Sequence, residues 1–235
     1  MDRIETISLE ELGYTEYFEA QRQKQGLADY PPARVLAEYR GAYKVASAHG
    51  QFVAKITGKL MHAASEREDY PAVGDWVAIS ELPEKQAVIR GILSRCSILH
   101  KKYSGKQEYQ IIATNIDTAF IVESMDRDYN LNRFERFMVL CSEGHIQPTI
   151  VLNKVDLISP EELRTRMDEI HDRFVDIDVI VTSTKSEPGV RDLEKSITSG
   201  KTYCFLGSSG VGKSSLINAL LGSEEIVTRE ISMTL

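Results

Sequence analysis

The sequence predicts a small antiparallel β-barrel followed by an α/β domain built on a parallel sheet, and three observations carry that prediction. Between Arg34 and Ile98, short apolar runs alternate with turn signals, the pattern of an antiparallel barrel. From residue 111 onward, buried-strand runs alternate with amphipathic helices, which implies a parallel sheet covered on both faces. Last, the apolar run TYCFL leads into GSSGVGKSS, Gly207 to Ser215, a glycine-rich turn of a kind that normally opens its domain and here comes near the end.

Residues 1–33 read as a helical arm. Ser8 and Glu11 in SLEELGY carry the Ser-x-x-Glu capping pattern, and PPAR, Pro31 to Arg34, punctuates the end. Residues 34–98 supply five strand-like runs, VLAEY, AYKVAS, FVAKITGKL, AVGDWVAIS and AVIRGIL, which fit an oligonucleotide-binding barrel, the OB-fold. Trp76 reads as barrel core or as a base-stacking ring. Residues 99–110 form a basic linker, and the wider run SRCSILHKKYSGKQEYQ gathers Arg95, His100, Lys101, Lys102 and Lys106 around Tyr103. That run is either a solvated connection or an RNA-facing loop whose cations meet phosphates while the tyrosine stacks on a base.

Residues 111–235 make the α/β domain. Asn115 and Asp117 shape the entry to the strand TAFIVES; LNRFERFMVLCSEG is an amphipathic helix ending at Gly144, and PTIVLNK is the next strand. Ser159, Pro160 and Glu162 open a helix through EELRTRMDEIHDRF, whose acidic side is a solvated face, and DVIVTS is a further strand.

A net charge of −7 and a pI near 5.4 argue against a chain that coats nucleic acid indiscriminately, so RNA contact must come from local patches. Cys96, Cys141 and Cys204 are isolated and indicate neither a zinc site nor a disulfide framework, only buried thiols of a reducing compartment. The five histidines show no metal spacing. MDRIETISLEELGY is acidic and has no apolar signal core, and no run reaches the roughly 18 apolar residues of a membrane span. A cytoplasmic monomer with no membrane partner is the expectation.

Gly207, Ser208, Ser209, Gly210, Val211, Gly212, Lys213 and Ser214 satisfy G-x-x-x-x-G-K-[ST], and Ser215 continues into the helix KSSLINALLG. Glycines let successive amides turn toward phosphate oxygens, and the helix N-terminus adds its positive end. Lys213 is expected on the β- and γ-phosphates and the Ser214 hydroxyl on Mg²⁺. The base is read elsewhere. Asn153-Lys154-Val155-Asp156 follows a buried strand; Asp156 can accept from guanine N1–H and its exocyclic amine, Asn153 holds the loop, and the Lys154 stem covers the base. Thr182 and Ser183, after the next strand, are placed to offer amides to the guanine oxygen. Asn-Lys-x-Asp precedes the phosphate loop here, the reverse of the usual order, which is a circular permutation.

With these motifs the chain resembles the circularly permuted ribosome-assembly GTPases, the YjeQ-like ribosome small subunit-dependent GTPase A family. The likeness runs through PPARVLAEYRGAYKV, ITGKL, YPAVGDWVAI, QIIATNIDTAFIVES, LNRFERF, TIVLNKVDLI, GSSGVGKSSLINALLG and TREIS. It implies an OB-fold barrel, a permuted P-loop GTPase domain binding GTP or GDP with Mg²⁺, and a role in late maturation of the small ribosomal subunit, whose rRNA the barrel touches. It also implies switch I threonines, an Asp-Thr-Pro-Gly segment and a C-terminal zinc module, none of which is in these residues; a shortened chain with weak hydrolysis is therefore expected. Two alternatives stay open at this point: a P-loop ATPase or nucleotide kinase with an accidental Asn-Lys-Val-Asp, and a non-hydrolysing RNA-binding module.

Overall fold

In the computed structural model the described residues are 7–64, 66–102, 109–126 and 129–223. They divide into two compact units, one of residues 1–117 with 199–202 and one of residues 118–198 with 203–235.

The first unit begins with a turn in which Ser8 and Glu11 cap one another, Ser8 N–H donating to Glu11 Oε2 at 2.8 Å and Glu11 N–H to Ser8 Oγ at 3.1 Å. The capping pair expected from the sequence is present, but it closes a turn. The helix itself, α1 (Glu16–Lys24), starts after Thr15. Five strands follow: β1 (Pro32–Tyr39), β2 (Ala42–Ser47), β3 (Gly50–Ile56), β4 (Trp76–Leu82) and β5 (Gln86–Ile92), closed in the order β1-β2-β3-β5-β4. Val35, Val45, Phe52, Val77, Ile79 and Ile89 fill the interior.

The run FVAKITGKL does not stay extended to its end. Thr57 Oγ1 accepts from the Leu60 amide at 3.2 Å and starts a short helix, α2 (Gly58–Ala63), because a threonine hydroxyl at this position satisfies an otherwise orphaned N–H. Trp76 is fully buried, its ring 4.8 Å from that of Tyr14 and 5.8 Å from that of Phe18, so the core reading of this residue holds.

The basic segment 99–110 is described only at its ends. Its flanks pair as an antiparallel ladder, β6 (Ile98–Lys102) with β7 (Tyr109–Thr114), and both belong to the first unit. Asn115 and Asp117 finish the unit: the Asn115 side chain accepts from Cys96 N–H and donates to the Gly74 carbonyl, while Asp117 accepts from Thr202 N–H and Lys201 Nζ, each at 2.8 to 3.0 Å. These bonds place the division at 117/118.

Among the described residues the second unit holds four parallel strands, β8 (Thr118–Ser124), β9 (Gln147–Asn153), β10 (Val179–Val181) and β11 (Tyr203–Leu206), in the order β10-β9-β8-β11. Helices α3 (Leu131–Glu143), α4 (Pro160–Arg173), α5 (Arg191–Lys195) and α6 (Lys213–Leu221) connect or follow them. Ser159 caps α4 through Glu162 N–H, and Pro160 fills the first turn, as the sequence predicts. Because every strand runs the same way, the ends of β8, β9, β10 and β11 lie along one edge of the sheet. Open α/β sheets bind ligands outside that edge.

Candidate nucleotide-binding site

The phosphate loop leaves β11 at Gly207, whose φ is +146°; a Cβ there would stand 2.4 Å from the Val122 carbonyl of β8. Gly212, at φ +98°, ends the loop as the N-cap of α6, and a Cβ would lie 2.3 Å from Asn153 Nδ2. Only glycine permits both the conformation and the approach. Between them Val211, 2% exposed, anchors the loop in an apolar cluster with Phe120, Val122 and Leu216.

Lys213 Nζ donates to the Gly207 and Ser208 carbonyls at 2.8 and 2.6 Å. Its ammonium thus lies over the loop that would cradle a phosphate, and burial pushes its pKa below the ordinary lysine value. Ser214 and Ser215 occupy the first turn of α6 and are half-buried, while Ser209 and Gly210 are exposed at the loop's crest. Among the described residues no cluster of three or more His, Cys, Asp or Glu could hold a metal ion. Ser214 could offer its hydroxyl to a Mg²⁺ held by phosphate oxygens, which suits a hard, oxygen-seeking ion that keeps most of its waters.

The Asn-Lys-Val-Asp loop, expected to read the base, follows β9. Asn153, 1% exposed, donates from Nδ2 to the Val211 carbonyl at 2.9 Å and accepts from Thr182 Oγ1 at 3.1 Å. One carboxamide therefore joins three motifs. Lys154 takes the left-handed conformation, φ +59° and ψ +39°, and its Nζ donates to the Gly210 carbonyl at 2.8 Å and pairs with Asp126 at 3.1 Å. Asp156 is exposed; its Oδ1 accepts from Ser183 Oγ at 2.6 Å. Ser183 Oγ in turn accepts from the Lys185 and Ser186 amides, both at 3.1 Å. The two amides donating to that hydroxyl leave its proton for Asp156, and the carboxylate stays exposed, where a ring N–H and amine could meet it.

The structure brings together every residue singled out for nucleotide binding: Asn153, Lys154, Asp156, Thr182, Ser183 and the loop Gly207 to Ser215. Three further residues join them, Glu123, Asp126 and Arg133. Asp126 holds Lys154, and Arg133 pairs with Glu123 at 2.9 Å and reaches Ser208 Oγ at 3.4 Å. Nothing in local sequence marks them, since their roles arise from the packing of α3 and the end of β8 against the loop.

The basic residues separate. Arg95 is committed within the first unit: its guanidinium donates to both Asp75 oxygens at 2.7 and 2.8 Å and to the carbonyls of Glu68 and Tyr70 at 2.9 and 3.0 Å. Asp75 is fully buried and also accepts from Thr114 Oγ1 at 2.6 Å. Arg95 therefore serves the framework of the first unit, a role the cationic run did not indicate. Lys101 is exposed on β6, Lys102 ends that strand, and Tyr103 and Lys106 lie outside the described residues.

A family model described as RsgA GTPase matches residues 92–235. The chain is 38% identical over 226 residues to a Lactiplantibacillus plantarum protein named small ribosomal subunit biogenesis GTPase RsgA 2, covering 96% of this chain and 63% of that one. It is 35% identical to the Opitutus terrae protein named small ribosomal subunit biogenesis GTPase RsgA, covering 96% of this chain and 64% of the relative. The crystal structure of YjeQ from Thermotoga maritima superposes with a TM-score of 0.66 at 25% identity, over 81% of this chain and 64% of that one. YloQ, described as a circularly permuted GTPase, shares the fold with a TM-score of 0.63, over 81% of this chain and 63% of that one. The chain thus spans less than two thirds of these relatives' lengths.

Proposed function

The chain belongs to the RsgA GTPase family, and from that premise we propose that it binds GTP and GDP, hydrolyses GTP to GDP and phosphate, and acts in the cytoplasm in late maturation of the small ribosomal subunit. The observation that carries the reading is the exposed Asp156 carboxylate, held by Ser183, in the same unit as a complete phosphate loop tied to Asn153. A phosphate loop alone selects triphosphates; the carboxylate selects guanine, because adenine does not present an N–H and an amine side by side.

Lys213 leaves the Gly207 and Ser208 carbonyls for the β- and γ-phosphates, and the loop amides share the charge of the phosphate oxygens. The Ser214 hydroxyl would hold a Mg²⁺, which would offset the charge of the phosphate oxygens. Lys154 covers the base with its stem while Asp126 fixes its head. In the first unit, the barrel and the β6–β7 ladder, with Lys101, Lys102, Tyr103 and Lys106, contribute a salt-sensitive contact with rRNA of the small subunit.

Competition against a labelled guanine nucleotide tests the reading. GTP and GDP should displace the label and ATP should not, and Asp156→Asn should shift preference toward xanthine nucleotides, whose extra carbonyl needs a donor. Equal displacement by ATP would establish an ATP-binding protein instead.

A further inference from the structure

We infer that Arg133 is a positioning residue for the phosphate loop, held beneath Ser208 by the buried carboxylate of Glu123; this rests on the nucleotide-binding reading above. Glu123 is the penultimate residue of β8, 1% exposed and in register with Leu152 of β9, a place in the sheet where apolar side chains are the rule. A carboxylate at that depth is costly unless a cation answers it. Arg133, in the first turn of α3, supplies a cation there, with Nη1 2.9 Å from Glu123 Oε1 and its side chain 19% exposed. The same Nη1 stands 3.4 Å from Ser208 Oγ.

Pairs of this kind add little stability over well-packed apolar residues, so their use lies in fixing geometry. Here the fixed object is Ser208, the second residue of the loop. Its carbonyl is also where Lys213 rests, at 2.6 Å. When a phosphate draws Lys213 away, that bond is lost and the loop's first turn depends on its remaining holds. Arg133 supplies one of them, through the side chain, and that contact does not use the lysine. The guanidinium suits the task because one planar group can face a carboxylate and a hydroxyl together, whereas an ammonium is a point charge on a mobile stem. The base-reading residues bond to one another and to Val211, so the effect belongs to the phosphate half of the site.

The test is calorimetric titration of the full chain with GDP and Mg²⁺, with ³¹P and imino ¹H spectra of the saturated complexes. The variants are Ser208→Ala, Glu123→Met with Arg133→Met, the three substitutions combined, and Arg133→Lys. Replacing both charges avoids a stranded buried ion, and Ser208→Ala leaves the pair intact should the paired change unfold the protein. Ser208→Ala and the paired change should each weaken GDP about tenfold, roughly 1.4 kcal/mol, and the combination should weaken it no further. The β-phosphate resonance of bound GDP should move in each, with the guanine imino resonance unmoved, and Arg133→Lys should recover only part of the affinity. Losses that multiply in the combination, an unmoved β-phosphate resonance, or unchanged affinity overturns the inference. Failure of the wild-type chain to bind GDP overturns the nucleotide reading itself and this inference with it.

Discussion

Asn153 donates its side-chain amide to the Val211 carbonyl at 2.9 Å, and by that bond the base-reading loop and the phosphate loop become one structure. Asn153→Ala removes this bond, strands the Val211 carbonyl, and leaves the buried Thr182 hydroxyl with the longer 3.4 Å bond to the Leu152 carbonyl. An unsatisfied buried group costs about 1–3 kcal/mol. Thermal unfolding should therefore fall measurably, and GDP affinity should drop by at least an order of magnitude. Affinity that survives at the wild-type level would show that the two loops hold their places independently.

Two glycines in left-handed backbone separate strain from collision. Gly222 ends α6 at φ +66° with nothing within 4 Å of a built Cβ, whereas Gly212 at φ +98° would drive a Cβ to within 2.3 Å of Asn153. Gly222→Ala should cost about 1–2 kcal/mol in chemical denaturation and leave GDP binding intact. Gly212→Ala should abolish binding, because the Asn153 amide must move. Equal effects of the two substitutions would contradict the close packing of the loop end.

Arg95 and Lys101 should fail in different assays. Arg95→Ala leaves Asp75 buried without its main partner, a change on the order of 3–5 kcal/mol in stability, read by denaturation. Charge reversal at Lys101 and Lys102 should leave stability within about 0.5 kcal/mol while weakening binding to small-subunit RNA and flattening its salt dependence. An unchanged salt slope would remove the β6–β7 ladder from the RNA contact.

Lys213 gives the site an alkaline limit. Burial disfavours its ammonium, so the free protein releases this proton below the ordinary value of 10.5, and a bound phosphate favours the charged form. GDP affinity should be full below the lowered pKa and should decline as pH rises through it. The guanine ring also deprotonates on the alkaline side, so the informative quantity is the ratio of wild-type to Lys213→Arg affinity between about pH 7 and 10, since arginine stays charged throughout. The ratio should fall with pH; a flat ratio would mean that Lys213 does not titrate ahead of an ordinary lysine.

Much of the architecture was legible because periodicity and punctuation are local. Ser159 with Pro160 marks the start of α4, alternation marks the barrel strands, and the glycines at 207, 210 and 212 with Lys213 mark the phosphate loop. Asn153 and Asp156 were legible for the same reason, since a buried strand followed at once by polar residues points to the edge of a sheet. The misreadings share the opposite cause. Thr57 turns the chain from strand to helix with one hydroxyl, which the apolar pattern of FVAKITGKL does not register. Arg95 looked like part of a cationic run until the fold placed Asp75 and two carbonyls around it. Glu123 and Arg133 stand ten residues apart on different elements, and no spacing rule joins them.

Arg34 is the residue by which the first unit closes on itself. Its guanidinium donates to the carbonyls of Leu12 and Asn115 and to Thr202 Oγ1, the last at 2.6 Å and 168 residues away along the chain. At a synthesis rate of about 5–20 residues per second, Thr202 follows Arg34 by roughly ten to thirty seconds. The five barrel strands can pair long before then, yet the unit is sealed only when the segment leading into the phosphate loop has emerged. Completion of the first unit is thereby timed to the arrival of the segment that precedes the phosphate loop.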